Sequence, residues 1–110
     1  MQKVTLFKLE SPNVKSTMEL YFNEDEQLIF DGYDIGSFVE QSMGDSDYEY
    51  KYIIEFEEVK KIAVLLKTDL NDQLTFLNTV KEHFNGNDAY SEFGDFMRKN
   101  KIKFQQFTWR

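Results

Sequence analysis

The chain has 110 residues, a net charge of −7 and no cysteine. This length predicts a single domain over residues 1–110 that can bury one core, and the lack of cysteine excludes disulfides and thiolate metal ligands. The N-terminus has no apolar run of signal-peptide length, and no segment approaches the roughly 20 apolar residues of a membrane span. We therefore expect a soluble, cytoplasmic protein with no membrane partner.

Charge is distributed unevenly along the chain. Residues 19–58 contain thirteen acidic residues and only one basic residue, Lys51, whereas residues 98–110 contain five basic residues and no acidic one. A strongly acidic field repels nucleic acid and anionic lipid and favours basic proteins. The alternative is that the acidity only keeps an aromatic-rich chain in solution.

The first half of the chain shows the apolar–polar alternation that is typical of β-strands. Segments 3–10, 16–22 and 27–33 predict a meander of hairpin strands, with a turn at Pro12. The most regular alternation lies in 47–56, and one face of this strand would carry Tyr48, Tyr50, Tyr52, Ile54 and Phe56. We expect the tyrosines to be core or half-core residues, with an exposed recognition face as the alternative.

Between the third and fourth strands, residues 34–44 predict a short helix or an irregular excursion. Gly32, Gly36 and Gly44 are expected to let the chain leave one strand and enter the next, because glycine adopts positive φ without steric cost. The apolar residues expected to plug this excursion into the core are Ile35, Phe38 and Val39.

The second half of the chain changes to the helical period. Helices are expected near 57–67, 72–85 and 88–99, followed by a terminal strand near 102–109 whose broken alternation indicates a bulge or an edge position. Because strands precede helices, the predicted fold class is α+β: an antiparallel sheet of N-terminal hairpin strands, packed against about three helices and completed by the terminal strand.

Side-chain patterns add detail to these helices. Asp69 or Asn71 is expected to cap the second helix, and Gly86 to close it. The residues expected to be largely buried are Ile54, Phe56, Ile62, Leu66, Leu77, Phe93 and Phe96.

The sequence contains few patterns that indicate chemistry. Asp45, Asp47 and Glu49 have a spacing that could bind a hard cation, but the calcium-loop motif is absent and a solvated strand edge is the expected role. His83, the only histidine, is expected to be structural at a helix C-terminus. Residues 98–110 mix basic and aromatic side chains, yet a helix end and a core strand explain them. We predict no catalytic residue, no metal, no cofactor and no nucleic-acid partner.

One part of the sequence resembles a known group of proteins. The run Gly32-x-Asp34-Ile35-Gly36, then Val39-Glu40 and the GDSDYEY of residues 44–50, resembles small stand-alone bacterial proteins of unknown function. The following helix pair and the C-terminal FTWR are similar to the same group. Several of its members look like immunity- or antitoxin-type partners in size and acidity. The resemblance implies a binding role and transfers no catalytic residue.

The leading interpretation is a non-catalytic acidic binding protein that neutralises a basic protein partner, such as a toxin with a nucleic-acid-cleaving domain. An acidic rim with aromatic anchors would form the partner-binding surface, and its residues are Asp31, Tyr33, Asp34, Asp45, Asp47, Tyr48 and Glu49. One alternative is a small housekeeping or regulatory domain without a toxin partner. Another is an enzyme with an unrecognised carboxylate site, which raised carboxyl pKa values in a concave pocket would favour.

Overall fold

The order of the elements that the structure describes is the predicted one. The computed structural model describes residues 2–36 and 47–109, and of Asp47 only the backbone. Within these ranges four strands come first, three helices follow and a fifth strand completes the order, which confirms the α+β fold. The strands are β1 (Lys3–Glu10), β2 (Val14–Phe22), β3 (Leu28–Gly36), β4 (Asp47–Ile54) and β5 (Gln105–Trp109), and the helices are α1 (Phe56–Leu65), α2 (Gln73–His83) and α3 (Ala89–Lys99).

The five strands form one antiparallel sheet in which the order across the sheet equals the order along the chain. In the turn between β1 and β2, the Ser11 hydroxyl donates to the carbonyl oxygen of Val14 at 2.9 Å. In the next turn, Asn23 Oδ1 accepts the backbone N–H groups of Asp25 and Gln27 at 3.0 and 2.9 Å. Short polar side chains stabilise tight turns in this way, and the predicted meander is confirmed.

Of the two glycines in β3, Gly36 has the predicted role and Gly32 does not. Gly32 lies inside β3, directly opposite Tyr50, and a Cβ added there would lie 1.9 Å from Cε2 of the Tyr50 ring. The prediction that Gly32 starts the excursion is therefore wrong: this glycine allows close approach of a neighbouring ring. Gly36 ends β3 with φ +145°, and Ile35 is a residue of β3. The rest of the predicted excursion, with Phe38, Val39 and Gly44, lies outside the described residues.

Acidic side chains stabilise the N-termini of α1 and α2. Glu57 and Glu58 occupy the first turn of α1, where carboxylates favour the positive end of the helix dipole. The N-cap of α2 is Asp72, which accepts the N–H of Leu74 at 3.1 Å, so the prediction of a cap at Asp69 or Asn71 is wrong. Asp69 instead accepts the N–H of Asn71 at 2.7 Å in the preceding turn.

The helices cover one face of the sheet, where the core lies. Phe93 of α3 stacks on Phe30 of β3 with 5.7 Å between ring centroids, and Phe76 of α2 lies 5.7 Å from Phe22 of β2. Of the predicted core residues, Ile54, Ile62, Leu77 and Phe93 are buried, while Phe56, Leu66 and Phe96 are half-buried against the same core. Tyr50 and Tyr52 are also buried, so the expected core position of these two tyrosines is confirmed.

Strand β5 forms an edge of the sheet, as its broken alternation predicted. All five of its residues are exposed, which is contrary to the interpretation of its aromatic residues as part of a core strand. An edge strand pairs with a neighbouring strand on one side only, which leaves more of its surface exposed. No helix within residues 2–36 and 47–109 has the length and apolar character that crossing a bilayer requires.

Candidate protein-binding face

The face of the sheet turned away from the helices carries the odd-numbered residues of β2 to β5, and we call it the open face. Side chains on one face of neighbouring strands form rows across the sheet, with Cβ atoms about 4.5–5.5 Å apart. The strand register gives two central rows: Thr17, Tyr33, Glu49 and Trp109 in one, and Glu19, Asp31, Lys51 and Phe107 in the other. These rows form the centre of the candidate site.

The predicted partner-binding residues divide between the two faces of the sheet. Asp31, Tyr33 and Glu49 lie together on the open face. Asp34 and Tyr48 are directly opposite each other on the covered face, because side chains three residues apart on a strand point to opposite sides. Asp45 lies outside the described residues, and Asp47 is described only as the strand residue opposite Ile35. The described members therefore form two separate groups.

Three aromatic side chains of the open face are exposed: Tyr33 within this group, and Phe107 and Trp109 beside it on β5. Tyr33, Phe107 and Trp109 are 36%, 40% and 45% exposed. The rings of Phe107 and Trp109 are nearly parallel, with 5.7 Å between centroids. The sequence interpretation missed Phe107 and Trp109 as site residues, and the signal that could have found them was the broken alternation of an edge strand.

Charge on the open face separates into two halves. Around the aromatic residues, Asp31 is flanked in its row by Glu19 and Lys51, and Glu49 is exposed between Tyr33 and Trp109. The β1–β2 side of the same face carries Lys3, Lys8 and Lys15 and also Glu10, whose carboxylate pairs with Lys8 at 3.3 Å. The half that contains the exposed aromatic residues is therefore the acidic half.

The pKa of Tyr21, which lies between the two halves, is affected by the charges on this face. Burial raises the pKa of Tyr21, and the carboxylates of Asp31 and Glu19 raise this pKa further because a negative phenolate beside them is unfavourable. Lys3 Nζ lies over this ring, 4.8 Å from its centroid, and is 3.9 Å from Glu19 Oε1.

A second group of carboxylates lies outside the open face. Glu55, Glu57 and Glu58 line a cleft of about 300 Å³, and the pKa of Glu58 is lowered, chiefly because its carboxylate accepts the N–H of Lys103 at 2.8 Å. Within the described ranges no group of three or more His, Asp or Glu side chains is arranged to hold a metal ion. His83 Nδ1 lies 3.0 Å from the Thr79 carbonyl oxygen in the last turn of α2, at the helix end where the sequence placed it.

Comparison with protein-family models, with curated proteins and with solved structures finds no match for this chain. The likeness to small bacterial proteins of the immunity or antitoxin type stays a prediction.

Proposed function

We propose that this protein is a non-catalytic binding protein that holds a basic protein partner on the acidic half of its open face. The observation that supports this proposal is the cluster of Tyr33, Phe107 and Trp109, exposed side by side with Asp31 and Glu49 on an uncovered sheet face. Exposed apolar side chains rimmed by polar ones mark interaction surfaces in soluble proteins.

The two kinds of side chain have separate tasks in this proposal. Tryptophan and tyrosine are the residues that most often dominate binding energy, because each buries a large rigid ring. The carboxylates of Asp31 and Glu49 attract a basic surface, speed its approach and fix its orientation. The net charge of −7 acts in the same direction at longer range.

Neutralisation of a basic toxin in the cytoplasm is the form of this function that the sequence resemblance favours. An inhibitor of this kind needs a rigid surface, since binding through a preformed sheet avoids the entropy cost of ordering a loop. The open face meets this need, because its rows are fixed by the register of five strands. Co-expression with a toxic basic protein encoded beside it would test this form directly, with survival as the readout.

The partner itself can be found by photo-cross-linking in cells. A benzoylphenylalanine in place of Phe107 should cross-link to a basic protein, whereas the same group in place of Leu74, a 37% exposed residue of α2, should not. Cross-linking at Leu74 alone, or none at Phe107 above the Leu74 level, would contradict the proposal.

Binding measurements with the captured partner then test the two tasks. Trp109→Ala should weaken binding about 30-fold, which corresponds to the ~2 kcal/mol of a hot-spot residue. Glu49→Lys should slow association at low salt and much less at high salt, because exposed charges are screened over ~8–10 Å at physiological ionic strength. Glu82→Lys, on the exposed side of α2, is the matched charge control.

A further inference from the structure

A second concave surface lies on the covered face of the sheet, where α3 begins. It is a groove of about 230 Å³ between β4, β5 and the N-terminus of α3, and its lining includes Tyr48, Tyr50, Tyr90, Asn87, Gln106 and Thr108. Ordinary ligand pockets have roughly 300–1,000 Å³. The groove is therefore of a size for one side chain of a partner rather than for a whole cofactor.

Three tyrosine rings form the walls of this groove. Tyr50 and Tyr90 meet edge to face, with 4.7 Å between centroids and 70° between ring planes, and Tyr48 lies 5.7 Å from Tyr50. The Tyr50 ring can lie over β3 because Gly32 has no side chain in its place. The π-face of a tyrosine ring is negative and attracts cations.

The carboxylate of Asp34 lies next to the groove rather than in its lining, opposite Tyr48 in the strand register. Asp34 Oδ1 accepts the hydroxyl of Ser16 at 2.5 Å and the hydroxyl of Tyr50 at 3.2 Å, and both bonds orient the carboxylate. Within the described ranges no hydrogen bond is donated to Oδ2. Burial, and after it the charge of Asp34, raises the pKa of Tyr50, so this phenol stays neutral and donates at ordinary pH.

Four other aromatic rings have a cation from the chain itself within the described residues. These pairs are Lys3 over Tyr21, Lys51 over Trp109, Lys60 over Phe56 and Arg98 over Phe104. Among residues 2–36 and 47–109, no Lys or Arg lies over the ring of Tyr48, Tyr50 or Tyr90. The groove thus combines the chemistry of a cation site with a place that the described part of the chain does not fill.

We propose that this groove binds the guanidinium group of an arginine side chain from a protein partner. Guanidinium is planar and stacks on aromatic rings, and its forked N–H groups match a carboxylate such as that of Asp34. The side-chain carbonyls of Asn87 and Gln106 at the groove provide further acceptors. The inference does not depend on the open face, which lies on the opposite side of the sheet.

A titration with small probes tests the inference without a known partner. N-acetyl-arginine methylamide is added to the isotopically labelled protein, and backbone amide shifts are followed by NMR. The shifts should centre on Tyr48, Tyr90 and Gln106. The citrulline analogue, which has nearly the same shape and no charge, should bind at least about tenfold more weakly, since hydrogen bonds to charged groups contribute most. The lysine analogue should also bind more weakly, because its ammonium group does not stack.

Three variants distinguish arginine binding in the groove from binding elsewhere on the surface. Asp34→Asn keeps an acceptor for Ser16 and Tyr50 but should weaken arginine binding about tenfold. Asp31→Asn, on the same strand but on the open face, should leave it unchanged. Thr108→Arg changes an exposed β5 residue at the groove and should block the probe by placing an arginine there.

The inference is overturned if the citrulline or lysine analogue binds as tightly as the arginine probe. It is also overturned if Asp34→Asn and Thr108→Arg both keep wild-type affinity with a well-dispersed spectrum, or if the shifts centre on Asp31. A failure of this titration leaves the cross-linking result at Phe107 unaffected, so the two proposals fail separately.

Discussion

Replacement of Gly32 by alanine should destabilise the protein, because the added methyl group would clash with the ring of Tyr50. The new Cβ would lie 1.9 Å from Cε2 and 2.2 Å from Cζ of Tyr50, whose ring is buried. Because real Cβ contacts are never so short, the Tyr50 ring must leave its place. It then loses its edge-to-face contact with Tyr90 and its hydrogen bond to Asp34.

The size of the effect follows from these losses. Overpacking a well-packed site costs about 1–3 kcal/mol, and a hydrogen bond to a charged acceptor contributes about 1.5–3 kcal/mol. Alanine recovers about 0.5–1 kcal/mol, since glycine in a strand is entropically unfavourable. The net loss in free energy of unfolding should be about 1.5–5.5 kcal/mol. At about 4 °C per kcal/mol for a chain of this length, Tm should fall by roughly 6–22 °C.

Urea unfolding followed by far-ultraviolet circular dichroism measures this loss, and a double-mutant cycle tests its cause. In a Tyr50→Ala background, Gly32→Ala should cost almost nothing, because the ring that it displaces is absent. The reasoning is refuted if Gly32→Ala is as stable as the wild type, or if its cost is the same with and without the Tyr50 ring.

Two further predictions concern the core and alkaline pH. Phe93→Ala should lower the free energy of unfolding by about 3–5 kcal/mol, because this ring is buried. Phe107→Ala, at an exposed site, should lower it by well under half as much. Equal losses in urea titrations would show that α3 does not pack as described. Burial, as the largest cause, raises the pKa values of Tyr50 and Tyr90 above the ordinary tyrosine value of 10.0. Above about pH 10 the unfolded chain therefore releases phenol protons that the folded chain keeps. Stability should then fall as pH rises through this range. Urea midpoints across this range measure the fall, Tyr50→Phe should reduce it, and a pH-independent midpoint would count against these shifts.

Local patterns predicted the elements well where the pattern was regular. The alternation of 47–56 and the helical period of 57–99 arise from one buried face per element. The structure has β4 over Asp47–Ile54 and the three helices within 56–99, so the predicted strand is two residues too long and Phe56 begins α1. The cap of α2 was misplaced because Asp69, Asn71 and Asp72 all have side chains that bond to backbone N–H groups in turns. Which of them caps α2 depends on where the helix begins, and this is decided by how α2 packs on the sheet rather than by the local sequence.

The candidate site was predicted only in part, for a similar reason. Asp31, Tyr33 and Glu49 come together because β3 pairs with β4 in this register. Asp31 and Asp34 were assigned to one surface because a turn was predicted at Gly32, but they lie on opposite faces of the sheet. Once Gly32 is placed inside the strand, the strand period alone separates these two carboxylates. The broken alternation of β5 indicated an exposed strand, but the position of Trp109 beside Glu49 depends on the pairing of β5 with β4 across residues 55–104, which no local pattern predicts.

The strand order of the sheet has a consequence for folding kinetics. The pairings of β1 with β2 and β2 with β3 need only short loops to close, whereas β5 reaches β4 after a chain segment that contains all three helices. Closing a longer loop costs more entropy, and non-local contacts slow folding. Trp109, the only tryptophan, is carried by β5. Its fluorescence in stopped-flow refolding therefore follows the closure of the longest loop in the sheet, while far-ultraviolet circular dichroism follows the hairpins and helices.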